Sequence, residues 1–251
     1  MAREYKERDY RREHFLHGRV SFVVEYKKSD LWIAVDRSSY DAGMQKACGK
    51  ILKRLWEDME EYMAQDPGYS DALTPYPAAH HAPKILQEMS LASAQAGTGP
   101  MSAVAGAVSK HLASELKKRY PYIEIIVENG GDIYAEFVED ITVVIFAGES
   151  PLSGKVGLSV PAGYSPLGIC TSSGTVGPSL SLGKADAVMI ACRDVVLADA
   201  YATAFGNEVK SIHDVDTVIE SIGAREEILA GVIVKNDKIG IVGEFDLEII
   251  G

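Results

Sequence analysis

The sequence predicts an α+β fold: a mainly antiparallel sheet packed by helices. Three observations carry that expectation. β-rich runs come in close pairs joined by turn residues, amphipathic stretches fall between groups of such pairs, and the order ββααα–ββββ–ββ–αα–ββ departs from the strict alternation of a parallel α/β protein. With 251 residues, 47% hydrophobic and 24% charged, the chain can bury a core, and its composition excludes both a disordered polymer and a membrane bundle. It reads as a single domain over 1–251, with a charged leader (1–17), an N-terminal half (18–97) and a C-terminal half (98–251). The two ββ-then-helix blocks read as related halves.

Runs 19–26 and 31–35 form the first hairpin, with a polar connection over 27–30. From 42 to 64, Met44, Cys48, Leu52, Leu55 and Met59 recur at helical spacing, enough for a helix of roughly 30 Å. Pro67-Gly68 breaks it, and Pro75, Pro77 and His80-His81 mark a loop. A second helix starts at Pro83 and stops near Gly97. A third runs over 101–119 and closes with Lys117, Lys118 and Arg119 at the negative end of its dipole. Runs 122–128, 133–137, 141–147 and 155–160 predict a four-stranded meander, followed by strands at 167–171 and 185–191. Asp194 is a good N-cap for a helix ending at Gly206-Asn207; a short helix over 214–223, with His213 in its cap, and a hairpin turned by Asn236-Asp237 complete the chain.

The net charge of −11 argues against a nucleic-acid binder, which needs basic side chains to neutralise phosphates. Small molecules and cations are the better partners. The charge is uneven: 120–154 holds seven acids and no Lys or Arg, whereas 156–183 holds no charged residue. That neutral stretch cannot cross a membrane, being interrupted by six Gly and three Pro. Cys48, Cys170 and Cys192 lack metal spacing and read as reduced, buried thiols. With no apolar segment in the charged opening residues, they predict a cytoplasmic protein.

Three segments carry candidate chemistry. Asn129-Gly130-Gly131-Asp132 lies between two strands; the Gly pair admits positive φ and a close ligand approach, and equally makes an ordinary hairpin turn. Thr171-Ser172-Ser173-Gly174-Thr175 offers hydroxyls and backbone N–H groups for a neutral polar ring or a pyrophosphate, or forms a plain turn-rich loop running on through Pro178. On the helix from 194, Asp199 and Thr203 stand at i and i+4, so both oxygens share one face. They can supply two ligands to Mg²⁺, or Asp199 can simply bond Thr203. The six histidines form no ligand set, and no Ser-His-Asp arrangement follows from spacing.

Taken in order, these segments resemble the ApbE superfamily, flavin transferases that use FAD and Mg²⁺ to attach FMN to a protein threonine. That family carries an Asn-x-Gly-Gly-Asp/Glu-Ile turn, a Val-Gly-Ile strand, an Ala-Thr-Ser-Gly loop and Ala-Asp-Ala-x-x-Thr-Ala on a helix. Here 129–133, Val156-Gly157-Leu158, 171–174 and 198–204 follow the same order, within a resemblance over roughly 98–243. It implies a T-fold-like architecture, a flavin-nucleotide site at Asn129 to Asp132 and Thr171 to Thr175, Asp199 and Thr203 as metal ligands, and a protein acceptor. The family's Lys-Gly-x-x-x-Asp becomes Ala105-Gly106-Ala107-Val108-Ser109-Lys110, and its His-x-x-Asp-Pro is replaced by the uncharged 178–183. The chain therefore resembles a divergent cytoplasmic branch. The alternative is a binding protein or enzyme for a related heterocycle, a pterin or purine, without flavin transfer. Open sheet edges would favour a homo-oligomer.

Overall fold

The computed structural model describes residues 18–175 and 182–250. Strands β1 (Arg19–Tyr26) and β2 (Ser29–Asp36) form the first hairpin. Its turn is two residues, not four, because Lys27 takes φ +57° and lets Ser29 and Asp30 pair. Helix α1 (Met44–Gln65) buries the predicted stripe. Its Trp56 Nε1 donates to the Ser29 hydroxyl at 3.0 Å, locking helix to hairpin.

A short helix, α2 (Pro67–Asp71), follows the Pro-Gly break. Helix α3 (Lys84–Ala96) begins one residue after Pro83 and ends at Gly97, left-handed at φ +77°. The third predicted helix is two pieces: a 3-10 turn over Pro100–Ala103 leads into α4 (Val104–Arg119).

The predicted meander divides. Strands β3 (Ile125–Asn129) and β4 (Asp132–Glu136) make one hairpin, and β5 (Ile141–Val144) and β6 (Val156–Val160) another, but β4 pairs with β7 (Leu167–Ser172) rather than β5. Then come β8 (Ala187–Cys192), α5 (Val195–Glu208), α6 (Val215–Gly223), β9 (Ile228–Lys235), β10 (Lys238–Gly243) and the unanticipated β11 (Asp246–Ile249). Eight antiparallel strands form the main sheet in the order β1-β2-β3-β4-β7-β8-β9-β10, while β11-β6-β5 form a second sheet.

The split has a physical cause. Every residue of β8 is buried, so both faces of the main sheet need cover. Val127, Cys170, Val188, Ile190 and Ile233 face the helices. Ile126, Ile133, Ala135, Ile169, Met189 and Val232 face the other way, against Ile141, Val143, Leu158 and Val160 of the small sheet. A continuous meander would have left that second apolar face wet, at about 1.5–3 kcal/mol for each large side chain.

Helix α5 packs on β7 and β8 beneath α3 and α4 and is buried almost all round. Asp194 caps it, accepting from Val196 N at 3.1 Å. The helix runs past its predicted stop at Gly206-Asn207, because Asn207 Oδ1 accepts Leu182 N at 2.8 Å and Lys184 N reaches Val209 O at 2.7 Å, holding the last turn. Before α6 the capping box is Ser211 with Asp214; His213 contributes its backbone N–H to the Ser211 hydroxyl.

At the end of β2, Asp36 ties the chain entering β3. It accepts from the Ser38 hydroxyl (2.6 Å), Ser39 N (2.9 Å) and the backbone N–H groups of Ile123 and Glu124 (3.1 Å each). Burial would raise this carboxyl, but the hydrogen bonds from Ser38, Glu124, Ser39 and Ile123 outweigh it and hold the pKa at about 2. The folded value lies below the unfolded one, so the stabilisation, up to roughly 2 kcal/mol, is present above about pH 4 and lost as pH falls toward 2. Urea titrations from pH 5 to 2 should show that loss in the native chain, and Asp36→Asn should flatten this part of the profile. A second prediction concerns Gly168 on β7, where an added Cβ would lie 2.2 Å from Val195 Cα. Gly168→Ala should cost at least about 1–3 kcal/mol in urea unfolding. Gly163→Ala, with nothing within 4 Å, should cost little.

Candidate functional site

Strands β3, β4 and β7 alternate, so the residues on their helix-facing side converge at one end of the sheet. Asn129 ends β3, Asp132 begins β4, and Cys170 is the cross-strand partner of Asp132 on β7. Between Asn129 and Asp132, Gly130 and Gly131 adopt φ +72° and +110°, which the two-residue turn demands.

Above this corner, α5 lays Asp199 against the start of α4. Asp199 Oδ2 accepts from Gly106 N at 2.8 Å. Gly106 is the third residue of α4, whose first N–H groups have no partner within the helix, so a carboxylate on one helix caps another. Only glycine fits there: a Cβ would come within 2.6 Å of Val195 O and 3.1 Å of Asp199 Cβ. Asn129 Nδ2 donates to Ala105 O at 3.3 Å, and Thr203 Oγ1 is 3.5 Å from Ser102 O. Asp199 and Thr203 thus both reach the segment that opens α4, in place of the simple Asp–Thr bond weighed from the sequence.

The electrostatics are unusual. Burial pushes Asp199 up to about 7, even though the N–H groups of Gly106 and Ala105 pull the other way. Asp132 is raised well above the ordinary carboxylate range by burial, then by the charges of Asp199 and Glu128, against hydrogen bonds from Cys170 and Thr171. The Cys170 thiol is raised too, by burial and then by Asp132 and Asp199, so it stays protonated, with Sγ 3.6 Å from Val195 O. Glu128 holds the hairpin tip by accepting Gly131 N at 2.7 Å.

The corner therefore offers two carboxylates, a hydroxyl and an amide oxygen. That donor set suits a hard cation such as Mg²⁺, which commonly takes one or two carboxylates and fills its remaining positions with phosphate and water. A protonated thiol adds nothing to such an ion. Among the described residues, no group of three or more His, Cys, Asp or Glu side chains is arranged to hold a metal.

The hydroxyl loop divides. Ser172 lies beside the last turn of α5, its Oγ 3.1 Å from where a Gly206 Cβ would be, and Thr171 O stands 3.5 Å from a Cβ on Gly131. Beyond them the chain turns away: Ser173 Oγ accepts Thr175 N at 3.1 Å, Gly174 N reaches Ala185 O at 2.9 Å, and Thr175 Oγ1 reaches Asp186 at 3.2 Å. Residues 176–181, which include most of the stretch replacing the family histidine motif, lie outside the described residues. The sequence gives no direct sign of Ser102 or of the capping role of Gly106, whereas Cys170 is the buried, reduced thiol it predicts. The available signal was Gly106 itself, since a glycine inside a helix costs about 1 kcal/mol and asks for a packing reason. Lys110, at the family's Asp position, bonds Glu88 and Asp194 at 3.1 Å each.

A family model described as AbpE bacteria matches residues 12–226. The chain belongs to that family. A UPF0280 protein of Methanocella arvoryzae is 37% identical over 81% of this chain and 82% of the relative. Another, from Methanocaldococcus jannaschii, is 34% identical over 87% and 88%. Among solved structures, the Pseudomonas stutzeri flavinyl transferase ApbE in its apo form aligns with a TM-score of 0.57 at 14% identity, covering 89% of this chain and 93% of that one. The Vibrio cholerae flavin transferase ApbE aligns with the same TM-score at 11% identity, covering 89% and 96%. These two share the fold, as the ordered motifs implied. Among the described residues, no helix is long and apolar enough to cross a membrane.

Gly106→Ala should force α4 and α5 apart and lower unfolding free energy by roughly 1–3 kcal/mol. An unchanged urea midpoint would contradict the close crossing.

Proposed function

We propose that this AbpE-family chain binds a flavin nucleotide, FAD or FMN, through a Mg²⁺ ion held at Asp199, Asp132 and Thr203, and that its reaction class is flavin transfer to a protein acceptor. The observation that carries the reading is the corner itself, where buried Asp199 caps α4 and half-buried Asp132 begins β4 opposite Cys170, two carboxylates whose charges oppose each other and which a cation would relieve. The matching fold of two flavin transferases supports it. When bound, the ion would neutralise the pyrophosphate and polarise its phosphoryl oxygens.

The chain's own residues bind and orient. Asn129 is steadied by its bond to Ala105 O, and Gly130 at the hairpin tip has open space where a side chain would stand. Thr171 and Ser172, at the near end of the 171–175 segment, supply hydroxyls for the nucleotide, while Ser173 to Thr175 hold the segment's far end. On this reading the site belongs to the half over 98–251, the protein works in the cytoplasm, and the open edges β1 and β10 are where copies would pair.

A second reading rests on Lys110. Where the family places an acid, this chain has a cation engaged with Glu88 and Asp194. That change favours binding of a related heterocycle, a pterin or purine, without transfer.

Titration calorimetry with FAD should show Mg²⁺-dependent binding that chelation abolishes and that Asp199→Asn or Asp132→Asn weakens at least about tenfold, since a charge-assisted contact is worth roughly 1.5–3 kcal/mol. Binding accompanied by AMP release and labelling of an acceptor supports transfer. Binding of pterins or purines but not FAD moves the conclusion to the second reading, and Mg²⁺-independent binding of every ligand sinks the metal assignment.

A further inference from the structure

The Thr171 to Thr175 segment has an anchor away from the carboxylate corner. Asp186, just before β8, is buried, with only 10% of its side chain exposed. It gathers three donors from three places. Thr175 Oγ1 reaches Oδ1 at 3.2 Å, Lys235 Nζ reaches Oδ1 at 3.4 Å, and Asn236 N reaches Oδ2 at 2.6 Å. Asn236 is the left-handed residue (φ +55°) of the β9–β10 turn, and its carbonyl accepts the Ser150 hydroxyl. One buried carboxylate thus fastens the end of the hydroxyl segment to a hairpin turn and, through it, to the loop between β5 and β6.

Burying a carboxylate costs several kcal/mol unless it is paired and hydrogen-bonded. The hairpin turn alone needs one acceptor, which an uncharged side chain could supply. The extra partners, Lys235 and Thr175, are what the charge adds. Thr175 is itself exposed, and its hydroxyl also lies 3.4 Å from that of Ser173, so the Asp186 contact sets the direction of both hydroxyls. With Gly174 N held by Ala185 O, the segment from Ser172 outward is pinned at both its backbone and its side chains.

We infer that Asp186 is a positioning residue: through Thr175 it fixes the far end of the hydroxyl segment and so holds Thr171 and Ser172, which lie beside the Gly131 turn and the last turn of α5, where they meet the nucleotide. This rests on the proposed flavin-nucleotide reading and adds to it a residue remote from the metal corner.

Two measurements on the full chain test it. The first, hydrogen exchange of the free protein, needs no ligand: Asp186→Ala should speed exchange of the Gly174 and Thr175 amides at least about tenfold, while Asp186→Asn, which keeps an acceptor oxygen, should recover most of the protection. The second is FAD affinity with Mg²⁺: Asp186→Ala and Thr175→Val should each weaken it about three- to tenfold, the range set by one hydrogen bond. The double variant should be no worse than either single one. Thr175→Val guards against a folding failure at Asp186, because Thr175 is on the surface. Unchanged exchange in Asp186→Ala overturns the anchor. Faster exchange with unchanged FAD affinity overturns the positioning role. Failure of the unaltered chain to bind FAD overturns the flavin reading instead, and the exchange result still decides the anchor.

Discussion

The bond from Gly106 N to the Asp199 carboxylate is the contact on which the functional end of the molecule depends. It joins the start of α4 to the middle of α5, and it can form only because position 106 has no side chain. α5 lies directly on β7 and β8, so the same contact sets the height of α4 above the sheet. Asn129 and Thr203 then find backbone carbonyls of that one segment within reach. A buried carboxylate at a helix N-terminus is favoured by the dipole and by the free N–H groups, yet burial still raises Asp199 to about 7. The cap therefore holds the carboxylate in place without fully stabilising its charge.

The second constraint is the two-faced sheet. A sheet with one wet face could have accommodated the β3 to β6 runs as neighbours in chain order. This one is apolar on both sides, so the chain leaves after β4, builds β5 and β6 over the rear face, and returns as β7. The detour makes β4 and β7 neighbours and so sets Asp132 beside Cys170. The layering that buries the core is also what assembles the carboxylate corner.

Local chemistry made much of this readable. The stripe of α1, the Asp194 cap, the Gly130-Gly131 turn and the Asn236 turn all follow from rules acting over a few residues, and they stand where the sequence places them. The two-sheet split was not readable, because the alternation within 141–160 is the same whether those strands extend one sheet or cover another. β11 is a four-residue strand with an exposed edge and little pattern of its own. The i, i+4 relation of Asp199 and Thr203 was legible, but their partners lie about a hundred residues away, and only Gly106 hinted at a close helix crossing.

Charge brings these strands of argument together. Among the described residues, the cation that α4 carries near the corner is already engaged: Lys110 bridges Glu88 and Asp194, and Glu88 is held at about 2, first by its bond from His111 and then, against burial, by Lys110. Lys110 therefore stitches α3, α4 and the cap of α5 into one rigid roof instead of supplying charge to a ligand. The charges acting on Asp132 are those of other carboxylates. An anionic nucleotide approaching such a corner meets repulsion at long range and two acidic oxygens at short range, and a small divalent ion reverses the sign of both effects at once. On the proposed reading, replacement of the family's acid by Lys110 strengthens the frame around the site, and a bound cation offsets the pyrophosphate's charge there.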